Sequence, residues 1–245
     1  MRAVPEWVGE TDNSAIPKVV KLRYITGWTL KSGSHDSPGP NGGTCINEAA
    51  IVAAGLEYKA IWSAHECPPC FSRPIAAYAI RLNDSMPDAI RNELLMPFVT
   101  RLAGTADSPD VERARVHHMA TRGVNLILPI VLRAAKREAE AIECEAVTTL
   151  NEARRVAASV RDKLRASATY ADASAAYAAA DAAADAYADA AADAAAAADA
   201  AAARRKVWLA SVQILDEAIK LGNQGDHIAV DVAIGRLNAA MALAS

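Results

Sequence analysis

The chain has 245 residues, a formal net charge of −3 and an apolar fraction of 52%, a value that alanine inflates. A slightly acidic chain has no global positive field, which argues against nucleic acid as a main partner. The N-terminus lacks a signal-peptide pattern, and no apolar run approaches about 18 residues, so we expect a cytoplasmic protein without a membrane span. Its cysteines should then be reduced, without a structural disulfide.

Residues 1–44 are rich in proline and glycine, which interrupt regular structure. Within them the stretch 19–28 alternates apolar and charged residues, as a short strand does. Because no partner strand is in sight, an extended segment lying on helices is an equal alternative.

From Thr44 onward the pattern is helical. Thr44 is predicted to cap a helix that runs through Ala54, with Gly55 following its end. A helix that starts at Ser108 is expected to stop at Gly123. Further helix starts or breaks are predicted at Pro74, Pro87, Pro109 and Pro129.

Residues 130–165 are good helix formers and predict a long helix. The composition then changes: residues 171–203 hold 24 alanines, six aspartates, two tyrosines and one serine. A continuous helix there would be about 50 Å long. One interpretation is an arm of a helical hairpin, or a helix through which the chain forms a homo-oligomer or binds a protein partner. The other is a spacer with no specific role.

An amphipathic helix follows, with Trp208 near its start and Gly222 after its end, and a last helix closes the chain. We expect Trp208 to pack on the helix at 130–165 as an antiparallel coiled coil. The sequence therefore predicts an all-α protein with three parts. They are a helical domain at 1–165 with an irregular N-terminal segment, an Ala/Asp-rich helix at 166–206, and C-terminal helices at 207–245 that pack back.

Potential metal ligands concentrate near the start of this helical part. The pair Cys67 and Cys70 has the two-residue spacing that lets two thiolates bind one tetrahedral ion. Cys45 and His35 lie upstream in a loop long enough to fold back, and His65 could replace His35. The sequence predicts a structural zinc site at His35, Cys45, Cys67 and Cys70, whose binding energy would order the Pro/Gly-rich segment.

Three alternatives to zinc stay open. Cys45 at a helix N-terminus could be a nucleophile, because the helix dipole lowers the pKa of a thiol there, with His35 or His65 as its base. The CPPC stretch is typical of dithiol oxidoreductases, although the βαβ unit of those enzymes is absent around Cys67. Finally, the cysteines could be simply buried.

Four segments resemble a family of uncharacterised bacterial proteins: SGSH, GGTCINEAAIVAAG, PPCFSRPIAAYAIRLND and LMPFVTRLAGT. The shared pattern, GSH…GxCxxEA…PxC…ND…RLxGT, covers about residues 25–135 and excludes the alanine-rich tract. Some relatives carry histidine in place of Cys67, which implies a position compatible with metal. The resemblance implies no activity. On this chain the pattern falls on His35, Cys45, Glu48, Cys70, Asn83 and Asp84.

These observations favour a non-enzymatic interaction or scaffold module whose loops are held by zinc. The alternative is a small cysteine-dependent hydrolase or transferase that uses Cys45 as its nucleophile. Native-state alkylation of Cys45 would separate the two, because a closed zinc site leaves its thiols unreactive.

Overall fold

The computed structural model describes residues 28–36, 43–166, 201–222 and 228–243. Over these ranges the fold is all-α, as predicted, and the β pairing there is a single bridge between Leu30 and Thr44. Residues 1–27, with nearly all of the predicted strand, and residues 167–200, with most of the alanine-rich tract at 171–203, lie outside the described residues. No helix within the described ranges is long and apolar enough to cross a membrane.

The helices of the described ranges are labelled in chain order. They are α1 Ile46–Ala53, α2 Arg73–Ser85, α3 Asp88–Leu95, α4 Pro109–Arg122, α5 Leu128–Ala134, α6 Glu138–Glu145, α7 Leu150–Ala166, α8 Ala201–Lys220 and α9 Val230–Leu243. Short 3₁₀ turns form at Ala64–Glu66 and Met96–Phe98. A π-helical turn, Gly123–Ile127, joins α4 to α5.

Helix α1 begins one residue later than predicted, because Cys45 and not Thr44 is its N-cap. The Thr44 hydroxyl instead accepts a hydrogen bond from Nε1 of Trp28 at 2.9 Å. Cys45 Sγ accepts the amide of Glu48 at 3.5 Å, and the Glu48 carboxylate accepts the amide of Cys45 at 2.8 Å, which together form a capping box. The predicted end is confirmed, with Gly55 at φ +76° after the helix.

Most of the proline-based predictions are confirmed. Pro74 lies in the first turn of α2, Pro109 opens α4, and Pro129 lies in the first turn of α5. The hydroxyl of Ser108 caps α4, as expected. Gly123 is the C-cap of α4, as predicted, but it stays helical at φ −55°, and the chain continues into the π turn.

The predicted long helix at 130–165 is divided among α5, α6 and α7. Lys136 takes a left-handed conformation at φ 60° between the first two, and residues 146–149 separate the second from the third. Helix α8, which carries Trp208, packs mainly on α2, α4, α5 and the π turn. The predicted coiled coil along 130–165 is therefore wrong, because the breaks leave no continuous helix for α8 to follow.

Helix α1 is buried along its whole length between α2 and α9. Its C-terminal end is covered by the guanidinium of Arg236 on α9, which donates to the Ala53 carbonyl at 2.8 Å. A cation suits that end, since unpaired carbonyls and the negative end of the helix dipole meet there. The N-terminal end of α1 carries two residues of the sequence pattern, Cys45 as its N-cap and Glu48 in its first turn.

Candidate functional site

The carboxylate of Glu48, in the first turn of α1, has no exposed surface. It accepts hydrogen bonds from the hydroxyl of Ser34 at 2.9 Å and from the amide of His35 at 3.0 Å. It also accepts the amides of Cys45 at 2.8 Å and Ile61 at 3.0 Å. A buried carboxylate persists only when hydrogen bonds replace its lost water. Glu48 therefore fastens two loops, one on each side in sequence, to the same helix turn.

His35 lies at the rim of this network. Its Nδ1 is 3.3 Å from Oε2 of Glu48, its ring is 27% exposed, and its carbonyl accepts the Tyr58 hydroxyl at 2.8 Å. Burial, and then the charge of Glu48, raise the pKa of Tyr58, so its phenol stays a donor. His35 and Glu48 are thus brought together, as their common place in the sequence pattern suggests.

Asn83 and Asp84, at the end of α2, bind the same N-terminal loop. The Asn83 amide oxygen accepts the amide of Ile46 at 3.2 Å, and its nitrogen donates to the Lys31 carbonyl at 2.7 Å. Asp84 accepts the amide of Gly33 at 2.8 Å. Asn83 and Asp84, to which the sequence pattern assigned no role, thus help to hold the N-terminal loop near the first turn of α1.

The Cys45 thiol lies inside this network. Burial, and then the neighbouring charge of Glu48, raise its pKa well above the ordinary value of a thiol. A nucleophilic cysteine requires the opposite shift, because the thiolate is the reactive form. The helix dipole, from which the sequence predicted an activated thiol, is outweighed at this position. The arrangement does not favour a reaction at Cys45.

The CPPC stretch follows the 3₁₀ turn. Cys67 is buried, which raises the pKa of its thiol to about 11 against the opposing charge of Arg73. Arg73 also donates to the carbonyl of Cys67 at 2.6 Å. Cys70 is partly exposed, and its carbonyl accepts the amide of Ala106 at 3.0 Å. His65 is exposed to solvent.

All four predicted zinc ligands fall within the described residues, and so does His65. Across those residues, no group of three or more His, Cys, Asp or Glu side chains is placed to hold a metal ion. One ion held by His35, Cys45, Cys67 and Cys70 would need a different arrangement of these loops. The side chains that meet instead are a carboxylate and its hydrogen-bond donors.

A second feature, which the sequence reasoning missed, is an exposed tryptophan. Trp62 is 71% exposed and follows Ile61, which is buried. The amides of Trp62 and Ser63 donate to one oxygen of Glu66 at 2.6 and 2.8 Å. The backbone is thus fixed on both sides of a side chain that faces solvent. The signal was visible, since a serine three residues before a glutamate is the capping-box pattern.

Comparison with known proteins returned no matching family model, no matching curated protein and no matching solved structure. The resemblance to an uncharacterised bacterial family therefore stays a prediction.

Proposed function

We propose that the chain is a non-enzymatic interaction module that inserts Trp62 into an apolar cleft of a protein partner. The observation that carries this proposal is an indole that is 71% exposed on a loop whose backbone is hydrogen-bonded on both sides. Tryptophan is enriched among the residues that dominate interface energies. The cytoplasmic location expected from the sequence is part of the same proposal.

The fixed backbone of the Trp62 loop supports this use. Binding costs free energy for every group that must be ordered, and a preorganised anchor lowers that cost. Ile61 is held by Glu48, Trp62 and Ser63 are held by Glu66, and Lys59 donates to the carbonyl of Glu66 at 3.2 Å. Little of the loop is left to order when the indole is buried.

The apolar character of the loop adds to the argument. Leu56, which is 40% exposed, lies at the start of the same connection between α1 and the 3₁₀ turn. Among the large hydrophobic side chains exposed in the described ranges, Trp62 is the only aromatic one. Isolated exposed aliphatic residues are ordinary on protein surfaces, whereas an aromatic residue on a hydrogen-bonded loop is the typical anchor of an interface.

The cysteine-dependent enzyme remains the second candidate, with less support. It needs a reactive thiolate, and the raised pKa of the Cys45 thiol opposes formation of one.

The alanine-rich helix stays a predicted second contact for a partner or for another copy of the chain. A partner that binds through that helix alone would not respond to a change at Trp62, which makes the two contacts separable.

A photo-crosslinking amino acid placed at Trp62 in the full chain tests the proposal directly. After illumination in extract of the source organism, we expect one discrete adduct that mass spectrometry identifies as a single protein. The matched control carries the same amino acid at Ile142, which is also exposed, at 56%, on another part of the surface. The purified partner should then bind the wild type with an affinity about tenfold or more higher than its affinity for Trp62→Ala.

The result that overturns the proposal is equally specific. If positions 62 and 142 give the same adducts, or position 62 gives none, the tryptophan is not an anchor. Equal affinity of the identified partner for the wild type and for Trp62→Ala leads to the same conclusion. Trp62→Phe, which keeps an aromatic ring, should retain part of the affinity.

A further inference from the structure

The last turns of α4, the π turn and the start of α7 line an open surface pocket of about 330 Å³. Its position differs from that of the Glu48 network, and no part of the proposed function depends on it. The polar side chains that line it are those of His117, His118, Thr121, Arg122, Asn125 and Thr148. The pocket wall is thus rich in hydrogen-bond donors and contains no carboxylate.

The π turn shapes this pocket. Between Gly123 and Ile127 the helix widens, and the amide of Leu128 bonds back to the carbonyl of Gly123. Such turns are rare and often occur at functional sites. Asn125 lies in the turn, and its side chain donates to the carbonyl of Val147 at 2.9 Å, which joins the turn to the connection before α7.

Hydrogen bonds to Glu217 and Asn125 hold the guanidinium of Arg122 in place. Its Nε and Nη2 donate to the two oxygens of Glu217 at 2.8 and 3.1 Å, and its Nη1 donates to Asn125 at 3.1 Å. Burial opposes ionisation of Glu217, but hydrogen bonds from Arg122 and Gln213 outweigh it and lower the pKa of that carboxyl. A guanidinium has five N–H donors, so this arrangement orients Arg122 and leaves two donors for a ligand.

Two further groups lining the pocket are uncommitted. His118 is engaged with Glu217 at 2.9 Å, whereas His117 is exposed, and no described group bonds to its ring. The hydroxyl of Thr121, one turn after His117, likewise has no hydrogen-bond partner within the described ranges. Together with Arg122 they offer a fixed guanidinium, an imidazole and a hydroxyl toward one small volume.

We infer that this pocket binds a small oxyanion, the carboxylate or phosphate group of a small molecule. A fixed guanidinium recognises either group because both present two oxygens at the spacing of its N–H donors. The volume is near the lower end of the roughly 300–1,000 Å³ typical of ligand pockets, so the ligand is a small one. Arg122 supplies two charge-assisted N–H donors, Glu217 balances much of its charge, and His117 and Thr121 complete the shell of hydrogen bonds.

Calorimetric titration of the full chain with inorganic phosphate and, separately, with succinate tests the inference and distinguishes its two sources. Ionic strength is kept constant with chloride. We expect saturable binding of at least one of the two anions, and His117→Ala should weaken it by about tenfold, as loss of one charge-assisted hydrogen bond does. The control His65→Ala, at an exposed histidine in another loop, should bind as the wild type does.

Arg122→Gln should abolish binding, but it also frees Glu217 and could unfold the chain, so His117→Ala decides the question. Absence of saturable heat with both anions overturns the inference. So does equal weakening in His117→Ala and His65→Ala, which would indicate general attraction of anions to the surface. Neither result bears on Trp62, so the two proposals fail independently.

Discussion

Two buried charges do the same work in different parts of the molecule. Glu48 uses an anion to collect N–H groups around the first turn of α1, whereas Arg115 uses a cation to collect carbonyls between α4 and α8. The guanidinium of Arg115 donates to Leu221 at 2.9 Å and Ala218 at 3.2 Å, and it also bonds to the carbonyl of Thr105. Both side chains are fully buried.

They differ in how their charge is balanced. Arg115 has a carboxylate partner, Glu112, at 3.1 Å, so much of its charge is neutralised inside the fold. Glu48 meets neutral donors and one histidine at the rim, His35. A buried charge that rests on neutral hydrogen bonds leaves those donors unsatisfied when it is removed. In this fold, charged side chains that hydrogen-bond to backbone groups hold the irregular segments in place.

The largest expected effect is at Glu48. Glu48→Ala should lower the free energy of unfolding by about 4 kcal/mol, because two buried and two partly buried donors lose their acceptor and each buried one costs about 1–3 kcal/mol. Urea unfolding measures it, and Glu57→Ala, an exposed glutamate on the next loop, is the control. A loss below about 1 kcal/mol would mean that water replaces the carboxylate, and the comparison with Arg115 would collapse.

Arg115→Met should cost somewhat less, about 2–4 kcal/mol. Methionine fills most of the volume, but the carbonyls of α8 lose their donor and Glu112 loses its partner. The matched control is Arg113→Met on the same helix, since the side chain of Arg113 is 66% exposed. A cost above that of Glu48→Ala would show that the buried cation contributes more to the stability of the fold than the buried anion does.

The opposite end of α1 gives a smaller effect. Gly55→Ala should cost about 2 kcal/mol, because φ is +76° there and a Cβ would lie 2.8 Å from Cζ of Arg236. Gly33→Ala is the control, since φ is +82° but its surroundings are open. It should cost about 1 kcal/mol from backbone strain alone. Equal costs in thermal unfolding would show that Arg236 simply moves aside.

The smallest effect concerns thiol chemistry and leaves stability unchanged. In native protein at pH 8, iodoacetamide should modify Cys70 first, because Cys45, Cys67 and Cys144 are buried. The pKa of Cys67 is raised to about 11, so its thiolate, and with it the rate, should keep growing as pH approaches that value. Peptide mapping by mass spectrometry reports each site. Early labelling of Cys45 would revive the cysteine-enzyme alternative.

Much of the fold could be predicted because helix punctuation is local. Pro109, with Ser108 before it, predicts the start of α4 from local sequence alone. The left-handed Lys136 could not be foreseen, because no local rule requires that conformation at a lysine. That one residue helps to divide the expected long helix, and with it the expected coiled coil.

The site was harder to predict for a physical reason. The resemblance pattern contained His35, Cys45 and Glu48 among its six residues, and the zinc prediction used the first two with Cys67 and Cys70. Side chains that suit zinc also suit a hydrogen-bond network. Spacing along the chain cannot distinguish the two, since the outcome depends on which oxygen the loop amides reach. Cysteine is also not a usual helix cap, so the sequence did not predict the reciprocal hydrogen bonds between Cys45 and Glu48.

The contact of Arg236 with Ala53 joins positions 183 residues apart in the chain. As a polypeptide emerges from the ribosome, α1 is made early but waits for α9 before its carbonyl end is covered. The native cover of α1 can therefore form only after residue 236 has been made, and contacts of such long range slow folding. A nascent chain halted before α9 should stay sensitive to protease around α1.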